Sequence, residues 1–368
     1  MKIGINLMRF HPSINIGGNY TFAYNIVREM INNSQHDYYL FVNKDNKEMF
    51  KFDNANVHFI EGKYFENIFI EIINENVFIK KNIKKFKMDV YYSPCFLLPF
   101  FEMPVPTIAT IHDINFMHFS QGALKDFYKK LSYKTTLQKG TFISTVSNFT
   151  LQDVCAKIGD FSNKMFVTYN GCDISKSDLN SNFRNHYNLN GKFAVCFSHY
   201  EHKNAVHAIK VLANAQEQLD EVVKLVIVGA KGALKEKLIK SCRDEKVEDL
   251  VVFIEYLEEE YKASMYYEAS VLLFPSKFEG FGLPVIEAMI LECPVISSNK
   301  ASIPEVMGNA GYCLDLENMD EWVKSFVEII NNEELAQNLA LRGIEHAKTF
   351  TWGASAQKLV NKLESISK

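Results

Sequence analysis

Short runs rich in β-branched and aliphatic residues alternate with amphipathic stretches along nearly the whole chain. In the first half, apolar residues at helical spacing predict helices over residues 19–32, 66–87, 122–139 and 148–158. The strand-like runs of this half are residues 2–6, 38–42, 57–60, 90–92, 107–112, 142–147 and 165–169. Repeated strand–helix units of this kind are typical of a parallel sheet that helices cover on both faces.

The second half repeats the alternation, with predicted strands at residues 193–197, 224–228, 250–254, 270–274 and 294–297. The helices between them are predicted over residues 204–218, 233–246, 259–268 and 284–291. Two such series predict an α/β fold with two Rossmann-like, doubly wound domains that face a central cleft. We place these domains at residues 1–180 and 190–350, because the segment 173–190 is polar and keeps no apolar period.

Composition excludes several classes of protein. The chain has 368 residues, of which 47% are hydrophobic and 23% are charged, as in ordinary globular proteins. No apolar run approaches the roughly 20 residues that span a bilayer, and no signal peptide is recognisable, so we expect a cytoplasmic protein. The seven cysteines are scattered and include no Cys-x-x-Cys pair, which indicates neither a disulfide framework nor a zinc site. The net charge of −4 argues against a nucleic-acid binder.

Two loops of the first domain follow predicted strands, at the edge where parallel sheets bind ligands. One loop ends in Gly17-Gly18, just before a helix for which Asn19 is the expected N-cap. Because glycines let a ligand approach the backbone and a helix N-terminus favours anions, a phosphate or sugar contact is one interpretation and a plain tight turn is the other. The second loop begins with His112-Asp113, a pair that can orient a reacting group or simply cap a turn.

The second domain contains the more informative loops. Lys203 stands where the chain turns into a helix, so its ammonium group and the helix N-terminus can address one phosphate, although a solvated lysine is the alternative. In the later segment, Gly280 and Gly282 permit an unusual backbone path, and Pro284 suits the first turn of a helix.

This later segment also contains two carboxylates, Glu279 and Glu287, with exposed amides expected near Leu283 between them. Carboxylates accept hydrogen bonds from hydroxyl groups, and helix amides bind phosphate. The arrangement therefore suits a ligand with hydroxyls at both ends and phosphates in the middle. A nucleotide sugar has this layout, with ribose, diphosphate and hexose in order.

Taken together and in order, these motifs resemble the retaining glycosyltransferases of family 4, which have the GT-B architecture. The resemblance extends over nearly the whole length, from the Gly17-Gly18 loop to the helix at Trp352. It is strongest at Ile111-His112-Asp113, Val146-Ser147-Asn148-Phe149-Thr150, Tyr169-Asn170-Gly171, Lys203-Asn204, Val228-Gly229 and the segment from Glu279 to Glu287. Each motif is common alone, whereas the ordered set is specific.

The resemblance implies a role for each of the matching residues. Glu279 would hold hydroxyls of the donor sugar, Glu287 the ribose hydroxyls and Lys203 the diphosphate, while His112 would lie beside the sugar at the reacting centre. His112, Glu279 and Lys203 are thus the expected catalytic residues. Further donor contacts are expected from Gly17, Gly18, His202, Ile254, Gly280, Phe281, Gly282 and Leu283.

On the acceptor side, the resemblance implies contacts from Asp113 and Asn19. It also implies that residues 351–368 form a helix that packs back on the first domain. The chain departs from the family pattern at the lysine loop, where Phe197-Ser198 replaces a glycine region and His202 stands where an arginine is usual. Histidine lacks the fixed charge and the bidentate fork of arginine, which leaves a non-catalytic GT-B subunit as the alternative function.

The reaction implied is transfer of a hexose with retention of its anomeric configuration. No residue is recognisable as a covalent nucleophile, so front-face displacement is the mechanism that the resemblance favours. Asp-x-Asp is absent from the sequence, and we expect Lys203 and helix amides to stabilise the leaving diphosphate without a metal. No cofactor is expected beyond the GDP- or UDP-linked sugar that is the substrate, with GDP-mannose as the first choice.

The expected acceptor is a saccharide or a lipid-linked saccharide of a bacterial-type cell-surface polysaccharide such as lipopolysaccharide. Basic residues of the first domain form two clusters, Lys80, Lys81, Lys84, Lys85 and Lys87, and Lys125, Lys129, Lys130, Lys134 and Lys139. The first cluster lies in an amphipathic stretch, which predicts either peripheral contact with an anionic membrane, at the inner face of the cytoplasmic membrane, or a solvated helix face. An NAD-linked oxidoreductase is disfavoured because Gly-x-Gly-x-x-Gly and the ribose-binding acid that accompanies it are missing. A sugar-nucleotide epimerase of the same fold is possible but less similar to these motifs.

Overall fold

The computed structural model describes residues 1–12, 17–63, 68–95, 98, 102–120 and 122–367, with only the backbone of residues 68–72. The chain divides into two compact units. The first consists of Met1–Gly171 with Thr351–Lys368, and the second of Cys172–Phe350. None of the helices in these ranges is both long and apolar enough to cross a membrane.

Each unit contains one sheet in which all strand pairs are parallel. The strands of the first unit are β1 Lys2–Asn6, β2 Asp37–Asn43, β3 Val57–Gly62, β4 Val90–Ser93, β5 Thr107–Ile111, β6 Phe142–Thr145 and β7 Met165–Val167. Those of the second unit are β8 Lys192–Phe197, β9 Val223–Val228, β10 Val251–Ile254, β11 Val271–Phe274, β12 Val295–Ser298 and β13 Tyr312–Leu314. Their spatial orders are β3-β2-β1-β4-β5-β6-β7 and β10-β9-β8-β11-β12-β13.

Helices connect the strands of both sheets. They are α1 Gly18–Asn32, α2 Ile68–Phe86, α3 Ala123–Lys139, α4 Asn148–Lys157, α5 Phe183–His186, α6 Ala205–Ala215, α7 Gly232–Asp244, α8 Glu259–Glu268, α9 Leu283–Ile290, α10 Ile303–Met307, α11 Met319–Asn331, α12 Glu333–Ala347 and α13 Trp352–Ile366. The predicted α/β fold with two doubly wound, Rossmann-like domains is confirmed, and every predicted strand is present. Strand β13 is not among the predicted strands.

In the first unit, alternate side chains of the strands pack against helices on opposite sides of the sheet. Tyr39 and Phe41 of β2 share one core with Ile79 and Ile83 of α2 and with Leu137 of α3, so α2 and α3 lie on the same side. Both helices are rich in lysine, so this side of the first unit is basic.

The C-terminal helix α13 belongs to the first unit, where it packs on α1. The indole of Trp352 is 2% exposed and lies edge-on to Phe22 of α1, with ring centroids 5.9 Å apart. The hydroxyl of Ser355 donates to the carbonyl of Tyr169 at 2.6 Å. A Cβ on Gly171 would come 2.2 Å from the backbone nitrogen of Trp352, so only glycine fits at this crossing of the chain.

The core of the second unit is formed by β9 with α6 and α11. Leu225 and Ile227 of β9 are fully buried among Leu212 of α6 and Trp322 and Phe326 of α11. Their alternation along β9 leaves the opposite side of the sheet for α8 and α9, which pack on each other.

The polar segment before β8 is ordered against the second unit. The backbone N–H of Asn180 donates to the hydroxyl of Ser264 on α8 at 2.7 Å, and Arg184 forms an ion pair with Glu268 at 2.6 Å. Phe183 is fully buried. These contacts make residues 172–190 an integral part of the second unit's surface.

Candidate functional site

The strand order of each sheet reverses once, and the loops at that point form the natural ligand site of an open parallel sheet. In the second unit the reversal lies between β8 and β11. The loop after β8 leads into α6 and the loop after β11 leads into α9. The residues that the sequence analysis selected in this domain lie mainly on these two loops.

Lys203 and Glu279 connect the two loops directly. The Nζ of Lys203 lies 2.7 Å from Oε1 of Glu279, and the two side chains are only 14% and 12% exposed. The ammonium group also lies 5.3 Å from the ring centroid of Phe274, at the end of β11. A cation and a carboxylate thus occupy the point of reversal, where the first can bind a phosphate and the second a hydroxyl group.

The backbone of the loop after β11 is held by hydrogen bonds to Ser302. Its buried hydroxyl lies 2.9 Å from the carbonyl oxygen of Glu279 and 2.8 Å from that of Phe281. Gly282 is the N-cap of α9 and has a φ of +110°. A residue with a Cβ atom would be strained in this conformation. Pro284, the second residue of α9, has no N–H, which leaves the amide of Leu283 as the first of the helix.

Glu287 lies in the interior of α9 and is held by two residues of α8. The Nζ of Lys262 lies 2.6 Å from Oε1 of Glu287, and the hydroxyl of Tyr266 donates to Oε2 at 2.8 Å. Burial alone would lower the pKa of Lys262, but the Glu287 carboxylate outweighs it and raises that pKa to about 12. Each carboxylate oxygen has a second lone pair, so this charged group can still accept a hydroxyl from a ligand.

Two histidines accompany Lys203 in the loop after β8. The backbone carbonyl of His202 accepts from the N–H of Lys277 at 2.8 Å, and its ring stacks on Tyr200 with centroids 5.5 Å apart. Burial and the neighbouring Lys203 lower the pKa of His202, while Glu279 opposes the shift. Burial, Lys203 and Lys231 likewise lower the pKa of His199. Both rings are therefore mainly neutral at pH 7.

The ends of β9 and β10 border this loop. A Cβ on Gly229, whose φ is +91°, would come 2.5 Å from the ring of His199, so the glycine makes room for the imidazole. The N–H of Gly229 donates to the carbonyl of Ile254 at 2.8 Å, and Ile254 is buried at the end of β10. Within the described residues, the buried hydroxyl of Ser198 has no hydrogen-bond partner.

In the first unit, His112 lies at the end of β5. Its Nε2 is 2.9 Å from the carbonyl oxygen of Pro94, which follows β4. Because a carbonyl oxygen can only accept, Nε2 carries the proton and Nδ1 of the neutral ring is an acceptor. Burial lowers the pKa of His112 to about 4, against the opposing hydrogen bond to Pro94. At neutral pH the ring can therefore accept a hydrogen bond but not supply a proton to a leaving group.

The other residues expected in the first unit have local structural contacts. Asp113 Oδ1 accepts from the N–H of Asn115 at 2.9 Å, which caps a turn. The prediction that Asn19 caps α1 is wrong, because the helix begins one residue earlier and Gly17 is its N-cap, with extended backbone and no side-chain hydrogen bond. Gly17, Gly18 and Asn19 are exposed, and the Asn19 carbonyl accepts from the thiol of Cys95 at 2.9 Å.

Within each unit, then, the selected residues fall into groups. In the second unit Lys203 and Glu279 form one group and Glu287 another, since the ion pairs of the two acids are separate. In the first unit the residues that follow β4 contact both His112 and Asn19. The supporting residues Lys262, Tyr266 and Ser302 are not among the residues predicted from the sequence. For the first two a signal was available, because they lie four residues apart on one face of a predicted helix.

Comparisons with known proteins match both halves of the chain. Residues 16–176 match a family model described as Glycosyltransferase Family 4, and residues 180–346 match one described as Glycosyl transferases group 1. The chain is 24% identical to O-antigen chain mannosyltransferase B of Escherichia coli over 293 residues, which covers 76% of this chain and 75% of that protein. It is 27% identical to O-antigen chain mannosyltransferase RfbU of Salmonella typhimurium over 222 residues, or 60% of each chain.

Two solved structures illustrate the likeness in fold. Sucrose-phosphate synthase from Thermosynechococcus elongatus has a TM-score of 0.78 at 16% identity, covering 99% of this chain and 98% of that chain. HepE of Anabaena in complex with UDP-glucose has a TM-score of 0.76 at 16% identity, covering 99% of this chain and the whole of that chain. At such identities the likeness concerns the fold, and it agrees with the two parallel sheets described above.

Proposed function

Since the chain belongs to glycosyltransferase family 4, with the GT-B fold, we propose that it transfers a hexose from a nucleotide sugar to a saccharide or lipid-linked saccharide in cell-surface polysaccharide synthesis. The observation that supports this most is the Lys203–Glu279 ion pair at the strand-order reversal of the second unit. A cation can bind a diphosphate and a carboxylate can accept hydrogen bonds from the hydroxyl groups that flank it, so this pair suits such a ligand.

In this proposal the donor binds to the second unit. Lys203, the amide of Leu283 and the N-terminus of α9 stabilise the diphosphate as it leaves, without a metal ion and without a further cofactor. Glu279 accepts hydrogen bonds from the transferred sugar and Glu287 from the ribose, with the base near Ile254. Because Lys262 and Tyr266 hold both oxygens of Glu287, the ribose meets a carboxylate of fixed orientation.

In the first unit, the neutral ring of His112 accepts a hydrogen bond from a sugar hydroxyl through Nδ1. This role orients the sugar and requires no proton transfer by the histidine, which suits its lowered pKa. Gly17 and Gly18 offer backbone amides at the start of α1, while Asn19 and Asp113 contact the acceptor. The transfer proceeds with retention by front-face displacement, in which the leaving phosphate takes the proton of the acceptor hydroxyl.

Mannose, delivered as GDP-mannose, is the donor sugar that we propose first, because relatives that match most of the chain are named mannosyltransferases. UDP-hexoses are the second choice. The acceptor is carried by a lipid, and the enzyme works in the cytoplasm in peripheral contact with an anionic membrane. The lysine clusters of α2 and α3 support this contact.

Slow hydrolysis of a panel of nucleotide sugars by the purified protein tests the proposal, because it reports the donor without the acceptor. We expect GDP-mannose to be consumed fastest. Calorimetry with GDP and UDP then compares the wild type with Glu287→Ala, and Glu345→Gln, which changes an exposed carboxylate of α12, is the matched control. Loss of nucleotide affinity in the first variant alone supports the ribose role, and unchanged affinity removes it.

The alternative, a non-catalytic subunit, rests on His202 in the arginine position. Tight nucleotide binding without consumption of any nucleotide sugar would favour it. Hydrolysis of one donor that is lost in Lys203→Met, while the protein remains folded by circular dichroism, would exclude it.

A further inference from the structure

Helix α3 leaves a stripe of large apolar side chains exposed. Leu124, Phe127, Tyr128 and Leu131 are 88%, 70%, 37% and 48% exposed. Their spacing of three, four and seven residues places them within about 100° of arc on one side of the helix. We call these four residues the α3 stripe. The exposed large apolar residues of the second unit lie instead on separate elements.

Lysines border the α3 stripe on both sides. At 3.6 residues per turn, Lys125 lies along one edge of the stripe and Lys130 and Lys134 lie along the other, and all three are exposed. The helix contains five lysines and one acidic residue, Asp126. Long lysine side chains beside an apolar stripe can extend to charged groups while the stripe is buried.

The opposite side of α3 is fixed in the fold. Ser132, Thr136 and Leu137 are buried, and the hydroxyl of Tyr133 donates to the carbonyl of Asp113 at 3.2 Å. The α3 stripe therefore has a defined direction, away from the sheet. Substituting the residues of the α3 stripe should therefore leave the core packing unchanged, because the buried residues of α3 lie on its other face.

Helix α2 lies on the same side of the sheet as α3. Ile73 and Val77 are each 59% exposed, while Ile79 and Ile83 are buried in the core. The sequence alone indicated α2 as the amphipathic basic helix, but from residue 73 onwards, where its side chains are described, Phe78, Ile79 and Ile83 pack in the core. In the described part of the first unit, α3 therefore has the larger exposed apolar surface.

We propose that the α3 stripe inserts into the interfacial region of an anionic phospholipid bilayer, with the lysines of α3 bound to lipid phosphates. The inference names the surface responsible for the membrane contact suggested above, and in this respect it rests on the proposed function. Charge complementarity selects this occupant. A second copy of the chain seated on α3 by a two-fold axis would bring the two sets of lysines together, and like charges repel.

Docking through α3 has a direct consequence for the acceptor. Tyr133, in the middle of the helix, holds the backbone of Asp113 beside His112 at the end of β5. The helix on the membrane and the loop expected to contact the acceptor are thus one hydrogen bond apart. A sugar presented at the bilayer surface would therefore lie on the side of the first unit whose helix α3 contacts the Asp113 loop.

The test is sedimentation of the full chain with vesicles of phosphatidylcholine alone or of equal parts phosphatidylglycerol and phosphatidylcholine, at low and high salt. We expect binding to the mixed vesicles that weakens at high salt. Phe127→Ser with Leu131→Ser should reduce it about tenfold or more. Each of the single variants Lys125→Gln, Lys130→Gln and Lys134→Gln should reduce binding to the mixed vesicles about fivefold. The matched controls are Leu341→Ser and Lys240→Gln, exposed residues of the second unit.

A second measurement reports insertion directly. The two native tryptophans, Trp322 and Trp352, are buried, so their emission provides a constant background. In Phe127→Trp, the added emission should shift to the blue on mixed vesicles and not on phosphatidylcholine.

Equal binding of wild type and stripe variants, or an unshifted Phe127→Trp, would overturn the inference. So would a dimer in light scattering that the stripe variants dissociate, since it assigns α3 to a second copy. Donor hydrolysis in the absence of vesicles reports the proposed function separately, so a failure of one is distinguishable from a failure of the other.

Discussion

Replacing His202 with arginine tests how the site balances the charge of a diphosphate. Lys203 is already paired with Glu279 at 2.7 Å, so the pair contributes little net charge. His199 and His202 can become cationic, but burial and Lys203 lower the pKa of each below its usual value. The donor therefore meets two rings that are mainly neutral at pH 7.

The expected effect follows from electrostatics and linkage. At an effective dielectric constant of about 20, two unit charges about 5 Å apart interact by ~3 kcal/mol, which equals roughly two pKa units. A bound diphosphate should thus raise the pKa of His202 and draw in a proton. Because the pKa is higher in the complex, binding is strongest below the pKa of the free protein. It weakens by about tenfold per pH unit until the pH passes the pKa of the complex.

Calorimetry with GDP-mannose and UDP-glucose between about pH 6 and 8.5, in buffers of different ionisation enthalpy, measures both affinity and proton uptake. These donors are suitable because their diphosphate diesters do not titrate in this range. His202→Arg supplies a fixed charge and should remove most of the pH dependence. It should also tighten binding at high pH by ~1.5–3 kcal/mol, about tenfold to a hundredfold.

His58→Gln, which removes a partly exposed histidine of the first unit, is the control and should change neither quantity. The reasoning is refuted if the wild type binds the donor without taking up a proton, or if His202→Arg keeps the full slope. A residual slope in that variant that disappears on adding His199→Gln would assign the remaining proton to His199.

Three further predictions concern the support of the site. Gly282→Ala should destabilise the second unit by about 1–2 kcal/mol in urea unfolding, because of its left-handed φ, and should raise KM for the donor more than a surface Gly232→Ala does. Ser302→Ala should cost about 1–3 kcal/mol, since the carbonyls of Glu279 and Phe281 lose the Ser302 hydroxyl as a donor, with KM rising and the nucleotide specificity unchanged. Glu287→Ala should cost about 2–4 kcal/mol by leaving Lys262 with only the exposed Glu259, 3.9 Å away, and the double variant with Lys262→Met should recover part of that stability but no nucleotide affinity.

The sequence predicted the strands well because parallel strands buried on both faces are continuous apolar runs. Tyr312–Leu314 was missed for the opposite reason, since this edge strand has three half-buried residues and no run to recognise. Helix ends were less certain. Gly17, not Asn19, caps α1, because a glycine with extended backbone can occupy the N-cap position without a side-chain hydrogen bond.

Part of the site was likewise predictable from the sequence and part was not. The loops that contain Lys203, Glu279 and Glu287 could be located, because strand ends and glycines show where a backbone must turn. Their pairing could not, since the Lys203–Glu279 contact joins residues 76 positions apart. The exposure of Leu124 and Phe127 was equally hidden, because periodicity predicts an amphipathic helix and not which apolar residues the core leaves uncovered.

Because α13 belongs to the first unit, the unit whose synthesis begins first is the one that is completed last. Residues 1–171 are synthesised before the second unit, yet their own unit lacks α13 until residues 352–366 have been made. The second unit, Cys172–Phe350, is complete before that point. A stop codon just before Thr351 would spare the later-made unit and leave Phe22 and Gly171 of the earlier one uncovered, open to proteases and chaperones.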